Sequence, residues 1–210
     1  MTLIYERFQD VIDRTKPLLY VPLAMKQEMY PGCLEWITGE LKGLDIPGIA
    51  MITSGAELAE KTLSDYCAVF IGGGNTFKLL YELKCSGSFE KLKAYMECGG
   101  VIFGGSAGAI IFGEDIISCK YADKNEVDLA DTEGFDSLHG ISLLCHYTNE
   151  GEEKTKMHTD YLLELSRNKK IIALPEEDTI IVTDDTLEIV GTRPYYVFEN
   201  GVKEEKNPGV

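Results

Sequence analysis

The run Val101-Ile102-Phe103-Gly104-Gly105-Ser106-Ala107-Gly108-Ala109-Ile110 constrains the fold more than any other stretch of this chain. Val101 to Phe103 is apolar and reads as the end of a buried strand. Glycines on both sides of Ser106 permit a sharp strand-to-helix turn with the serine at its apex. Such a turn lifts the hydroxyl out of the sheet edge. It also aims the first backbone N–H groups of the next helix at whatever that hydroxyl attacks. On its own the stretch equally suits an ordinary glycine-rich connection, so its meaning depends on the elements around it.

Those elements alternate. Ile4 to Arg14 has helical spacing (Ile4, Phe8, Val11, Ile12), and Leu18 to Leu23 is an apolar strand that Pro22 brings to an end. A helix over Met29 to Leu41, a strand over Ile49 to Ile52 and a helix over Glu57 to Tyr66 follow. Cys67 to Ile71 is a buried strand that runs into Gly72-Gly73-Gly74-Asn75-Thr76, after which Phe77, Leu80 and Tyr81 open a helix. Phe89 to Cys98 is helical and ends at Gly99-Gly100, just before the serine strand. Later come a strand at Ile141 to Leu144, a helix at Lys156 to Arg167 and a strand at Ile171 to Leu174. Thr179 to Phe198 holds two or three β segments with turns at Asp184-Asp185 and around Gly191 to Pro194. From Lys203 the polar tail is expected to fray. Alternating strands and helices predict an α/β fold: a mostly parallel sheet with helices on both faces, antiparallel C-terminal strands, and a single domain over residues 1–210.

Charge narrows the partners. The formal net charge is −15 and the pI about 4.6, so nucleic acid and acidic membrane surfaces are excluded as expected partners. Cys33, Cys67, Cys85, Cys98, Cys119 and Cys145 contain no C-x-x-C pair, and several lie in apolar runs where a reduced thiol packs as a small hydrophobe. Met1 to Lys16 is charged and lacks a long apolar core. No run approaches the ~18 apolar residues of a membrane span. These features predict a cytoplasmic protein, without disulfides, metal or cofactor.

In an open α/β sheet, ligands bind beyond the carboxyl ends of the strands. The triple glycine, Ser106 and His146 all emerge there. A serine needs a base to take its proton, and His139, His146 and His158 are the only histidines. His158 sits beside the apolar stripe of a predicted helix and reads as structural. His146 leaves the end of a strand, as Ser106 does, and comes ahead of His139, which precedes its strand. A carboxylate to hold the imidazole would come from Glu114, Asp115, Asp123, Glu126, Asp128, Asp131, Glu133 or Asp136, and spacing does not choose among them. The triple glycine suits either an oxyanion hole, with an N–H beside that of Ala107, or phosphate binding at a helix N-terminus. The glycine spacing matches neither G-x-x-x-x-G-K-[ST] nor G-x-G-x-x-G.

Taken together, Ile71-Gly72-Gly73-Gly74-Asn75-Thr76-Phe77, Gly104-Gly105-Ser106-Ala107-Gly108-Ala109, Gly134-Phe135-Asp136-Ser137-Leu138 and Cys145-His146-Tyr147 resemble the dipeptidase E group, peptidase family S51. These are serine peptidases related to cyanophycinase, on the class I glutamine amidotransferase-like fold. The resemblance covers the chain from about Leu18 onward. It implies Ser106 as nucleophile, His146 as base, Glu126 as the acidic third member and an oxyanion hole from Gly74 and Ala107. It also implies cleavage of short peptides, with a preference for N-terminal aspartate. The partner would be a small peptide, and the chain a monomer or homodimer. Cys145 stands where the family has proline, and Gly105 where relatives often have a larger side chain. The N-terminus offers little room for the strand with which relatives begin. Leu174-Pro175-Glu176 also resembles a family segment near the site and is assigned no role.

An aspartyl substrate calls for a cationic pocket, for which Lys120, Lys124 and Arg193 are candidates. Glutamine amidotransfer is disfavoured, because the elbow carries serine and Leu174-Pro175-Glu176 has no histidine. An α/β-hydrolase esterase would place its histidine late, and none follows His158. The non-enzymatic alternative is a binding or sensing domain on the same fold.

Overall fold

A computed structural model describes residues 3–184 and 186–209. Two compact units make up the chain: residues 1–108 with 126–129, and residues 109–125 with 130–210.

The first unit is built on a parallel sheet of order β2-β1-β3-β4. Its strands are β1 (Leu18–Val21), β2 (Ile49–Met51), β3 (Val69–Ile71) and β4 (Ile102–Gly104). Continuous apolar runs make them strands: every residue of the central β1 and β3 is buried, and those of the edge strands β2 and β4 are half-buried. Between them lie α1 (Leu3–Val11), α2 (Tyr30–Glu40), α3 (Gly55–Glu60), α4 (Thr76–Ser86) and α5 (Ser88–Glu97). The core joins Phe8 and Ile12 of the N-terminal segment to Leu18, Tyr20, Ile37 and Phe70. Phe103 stacks on Phe70 at 4.8 Å between centroids and meets the edge of Phe8 at 5.4 Å.

Helix ends follow local chemistry. The Asn75 side chain accepts from Lys78 N at 2.9 Å, so α4 starts directly after the glycines, and Gly87 ends it in the left-handed conformation at φ +77°. At α3 the Ser54 side chain accepts from Glu57 N, while Glu57 Oε2 accepts from Thr53 N at 2.8 Å. This cap moves the helix start ahead of the expected Glu57. The chain becomes extended at Lys61, so one predicted helix is a short helix and a 3-10 turn at Leu63–Asp65.

The second unit contains a sheet of order β10-β9-β6-β5 and a separate ribbon, β7-β8. Its strands are β5 (Ile141–Leu144), β6 (Lys170–Ala173), β7 (Thr179–Thr183), β8 (Thr186–Val190), β9 (Tyr195–Glu199) and β10 (Val202–Lys206). β5 and β6 are parallel; β9 and β10 continue the sheet antiparallel. A short helix α6 (Ala107–Ile110) follows β4, and α7 (Glu152–Leu165) lies between β5 and β6. Leu138, Leu143, Ile172, Leu174 and Val197 form a core cluster. Gly151, at φ +94°, turns the chain into α7, and Glu152 and Glu153 occupy its first turn, so the helix begins before the expected Lys156. The α/β class is as expected: a four-stranded parallel sheet flanked by helices, plus antiparallel strands near the C-terminus.

The tail departs from expectation. Asn200 and Gly201 adopt φ +54° and +72°, a two-residue turn that returns the chain as β10 against β9. The Lys203 ammonium then lies 4.1 Å from the Tyr196 ring centroid and 5.1 Å from that of Tyr147. At the predicted Asp184-Asp185 turn, Asp184 has φ +50°, and Asp185 lies outside the described residues. The question of a strand ahead of the first helix falls on Met1 and Thr2, also outside the described residues. No described helix is long and apolar enough to cross a membrane.

Two glycines make a paired prediction. A Cβ on Gly108 would overlap the Ile71 carbonyl oxygen, whereas one on Gly39, inside α2, meets nothing within 4 Å. Gly108→Ala should cost about 1–3 kcal/mol and lower the melting temperature by several degrees. Gly39→Ala should raise it slightly, since glycine within a helix costs about 0.5–1 kcal/mol relative to alanine. Equal melting temperatures for the two variants would contradict the close approach at Gly108.

Candidate active site

In the first unit, β3 and β4 are parallel neighbours whose last paired residues are Ile71 and Gly104. Gly72-Gly73-Gly74 leaves one and Gly105-Ser106 the other, at the same sheet edge. Ser106 has φ +53°. A side chain held in this left-handed region is strained on the order of 1–3 kcal/mol, and such residues persist where the surroundings over-determine them. Here Gly105 N donates to Ile71 O and Gly108 N to Gly105 O, both at 2.9 Å. A Cβ on Gly73 would come within 2.9 Å of the Ser106 Cβ, so the glycine backbone rests against the serine side chain. Gly74, at φ +136°, passes so close to Ala24 that a Cβ would sit 2.6 Å from its carbonyl oxygen. Gly105 is different: a Cβ there makes only ordinary contact with Phe70, at 3.8 Å. A Cβ at this position is therefore sterically compatible with the turn. Ala107, just past the serine, is 1% exposed.

In the second unit, β5 and β6 run parallel, with Leu144 opposite Ala173. His146 lies two residues beyond β5, at φ +61°. Glu176 lies three residues beyond β6. His146 Nδ1 is 2.8 Å from Glu176 Oε1. An ionised carboxylate only accepts hydrogen bonds, so Nδ1 carries the proton and, in the neutral ring, the lone pair lies on Nε2. Histidine and carboxylate are both partly exposed, at 39% and 58%.

The carboxylate bound to His146 is thus Glu176, where the resemblance put Glu126. Glu126 is exposed in a loop and groups with the first unit. The reason for the difference is topological. His146 and Glu176 sit at the same end of two hydrogen-bonded strands, and the 30-residue separation between them is taken up by the α7 crossover. The rule that selects His146, a polar residue just past a strand's carboxyl end, also selects Glu176, had Ile171 to Leu174 been paired with Ile141 to Leu144.

The loop that carries Glu176 is tied down. Asn149 Oδ1 accepts from Glu176 N at 2.8 Å, and Asn149 Nδ2 donates to Glu177 Oε2 at 3.2 Å. Arg193 Nη1 donates to Glu177 Oε1 at 3.2 Å. The Asn149 hydrogen bond, with Arg193 adding to it, holds the Glu177 carboxyl below the usual carboxylate range. Asp178 Oδ1 accepts from Thr192 N and Arg193 N at 3.0 and 3.1 Å, while burial pushes its carboxyl up. Desolvation pushes the Cys145 thiol up to about 12, so this cysteine beside His146 is a packing group at neutral pH.

The other candidates separate. His158 is 3% exposed on α7, and burial lowers its affinity for a proton, with Glu150 opposing. His139 is exposed at φ +54° in the loop before β5. Of the possible substrate cations, Lys120 and Lys124 are exposed and Arg193 is engaged by Glu177.

Comparison with known proteins gives the family and the fold. The model of peptidase family S51 matches residues 1–190. Peptidase E of Salmonella typhi is 30% identical over 166 residues, 76% of this chain and 69% of that protein. Peptidase E of Citrobacter koseri is 30% identical over 146 residues, 66% of this chain, and the match spans only 62% of the relative's length. A candidate peptidase E from Listeria monocytogenes EGD-e, known as a crystal structure, superposes with a TM-score of 0.73 at 21% identity, covering 90% of this chain and 93% of that one. A peptidase from an acI-B1 Actinobacterium gives 0.73 at 16% identity, covering 99% and 89%. At these identities the two structures show the shared fold. The chain belongs to peptidase family S51, a family of serine-type peptidases.

The contrast between Gly73 and Gly105 is testable with a serine-directed fluorophosphonate. Gly73→Ala should slow covalent labelling of Ser106 by about 10-fold or more, since displacing a reacting group by about 1 Å costs up to ~10²-fold. Gly105→Ala should label at close to the parental rate. Equal labelling of both variants would contradict the contact between the Gly73 backbone and Ser106.

Proposed function

We propose that this chain hydrolyses short peptides by acyl transfer through Ser106, with His146 as general base and Glu176 in the orienting role that the resemblance gives to Glu126. The Ser106 Oγ attacks the scissile carbonyl carbon while His146 Nε2 takes its proton. The oxyanion that forms is stabilised by the N–H groups of Gly74 and Ala107. His146 returns the proton to the leaving amine as the C–N bond breaks. Water then attacks the acyl-serine as His146 takes its proton, and His146 returns that proton to Ser106 Oγ as the acyl C–O bond breaks and the acid is released. Glu176 holds the Nδ1–H tautomer and stabilises the imidazolium in both halves of the cycle.

The observation that carries this reading is the 2.8 Å pairing of His146 Nδ1 with Glu176 Oε1, because it fixes which nitrogen can act as base. The strained φ of Ser106, a serine on a strand-to-helix elbow, supports the nucleophile assignment. Peptides with N-terminal aspartate are the proposed substrates, after the family resemblance. The chain's own charge of −15 means that any cation serving them acts locally.

A panel of dipeptides, aspartyl dipeptides among them, checks these assignments. Ser106→Ala should abolish hydrolysis with the fold intact. Glu176→Gln should reduce kcat by about 10²-fold or more, toward the ~10⁴-fold known for a buried carboxylate in this role. Glu126→Gln should stay within about twofold of the parent, a change under 0.5 kcal/mol. Full activity in Ser106→Ala would overturn Ser106 as the nucleophile, and no hydrolysis of any peptide by the folded parent would favour the binding-domain alternative. Loss of activity in Glu126→Gln with Glu176→Gln unaffected would reverse the carboxylate assignment.

A further inference from the structure

Among the groups around His146, one side chain reaches both loops and is itself no candidate for acid, base or nucleophile. Asn149 closes the turn that begins at His146, its N–H donating to His146 O at 3.1 Å. Two residues of that turn are left-handed, His146 at φ +61° and Thr148 at φ +73°. The amide of the same asparagine then binds the neighbouring loop twice, accepting from Glu176 N at 2.8 Å and donating to Glu177 Oε2 at 3.2 Å. The second carboxylate oxygen of Glu177 accepts from Arg193 at 3.2 Å, and Arg193 N donates to Asp178. The loop after β6 is therefore fixed on one side by Asn149 and on the other by the residues ahead of β9.

We propose that Asn149 is a positioning residue for the His146–Glu176 pair: it sets the backbone of Glu176 at the height from which its carboxylate meets Nδ1. The inference rests on the reading of Glu176 given under Proposed function. His146 and Glu176 are both partly exposed side chains with rotamer freedom, so packing alone does not hold 2.8 Å between them. An anchor on the Glu176 backbone, supplied by Asn149 three residues after His146 in the same turn, fixes the two loops from which these side chains meet. An amide is the side chain that suits this place, since it presents one acceptor to an N–H and one donor to a carboxylate. The low proton affinity of Glu177, caused first by Asn149, is the electrostatic counterpart of this contact.

The test compares kinetics, not stability. Asn149 is exposed, so Asn149→Ala should melt within about 2 °C of the parent. Its kcat should fall about 10- to 100-fold, the scale expected for a misplaced catalytic group, with KM within twofold. Asn149→Asp keeps the acceptor for Glu176 N but sets a carboxylate against Glu177, and should be at least as slow. The double variant Asn149→Asp/Glu177→Gln exchanges acid and amide across the contact and should recover to the level of Glu177→Gln alone. Parental kcat in Asn149→Ala, alongside a slow Glu176→Gln, would overturn the positioning role and leave the Glu176 assignment standing. Parental kcat in Glu176→Gln would overturn both. A drop in Asn149→Asp that the Glu177 exchange does not rescue would also count against a specific amide contact.

Discussion

The first unit depends on glycine backbone approaching its neighbours with no side chain of its own between. Gly108 packs onto the Ile71 carbonyl, Gly73 against Ser106, and Gly74 onto the carbonyl of Ala24. The connections after β1, β3 and β4 are thereby locked together at the carboxyl edge of one parallel sheet. That locking holds Ser106 at φ +53°, a conformation its own side chain disfavours. The strain is offset by the two hydrogen bonds that Gly105 and Gly108 donate and by the packing of the strands beneath. A methyl group at Gly73, Gly74 or Gly108 would force these loops apart, and with them any geometry the serine offers to a substrate.

The second unit reaches its polar constellation differently. Its carboxyl edge uses strand register and side-chain hydrogen bonds, with left-handed turns at His146 and Thr148. Parallel pairing of β5 with β6 sets His146 beside Glu176, and Asn149 joins the two loops. The tautomer follows from this: with Nδ1 given to a carboxylate, Nε2 is the nitrogen left to exchange protons. Cys145, adjacent in sequence, is kept out of the chemistry because its surroundings exclude charge.

Much of this was legible from residues alone, for identifiable reasons. Strands buried on both faces read as unbroken apolar runs, so β3, β4, β5 and β6 fall within a residue or two of their predicted ends. The serine elbow and triple glycine are visible because Gly73, Gly74 and Gly108 lie where a Cβ would collide with its neighbours. What escaped notice was either local chemistry that hydrophobic periodicity does not register or contact between distant residues. The Ser54–Glu57 cap shifted α3 forward. Asn200-Gly201, a strong hairpin pair, lies just ahead of the tail from Lys203, whose polarity by itself reads as frayed. The resemblance implies Glu126, whereas the carboxylate that lies against His146 is set by which strands pair. Glu176, 30 residues away, became visible only through the β5–β6 register.

The most direct measurement of the central claim is a crystal structure of the protein after reaction with a fluorophosphonate. The account predicts a single adduct on Ser106 Oγ, its phosphonyl oxygen within hydrogen-bond distance of the N–H groups of Gly74 and Ala107. His146 would stand beside the adduct, with Glu176 on its Nδ1. An unmodified Ser106, or an adduct whose oxygen faces solvent with His146 turned away, would contradict it.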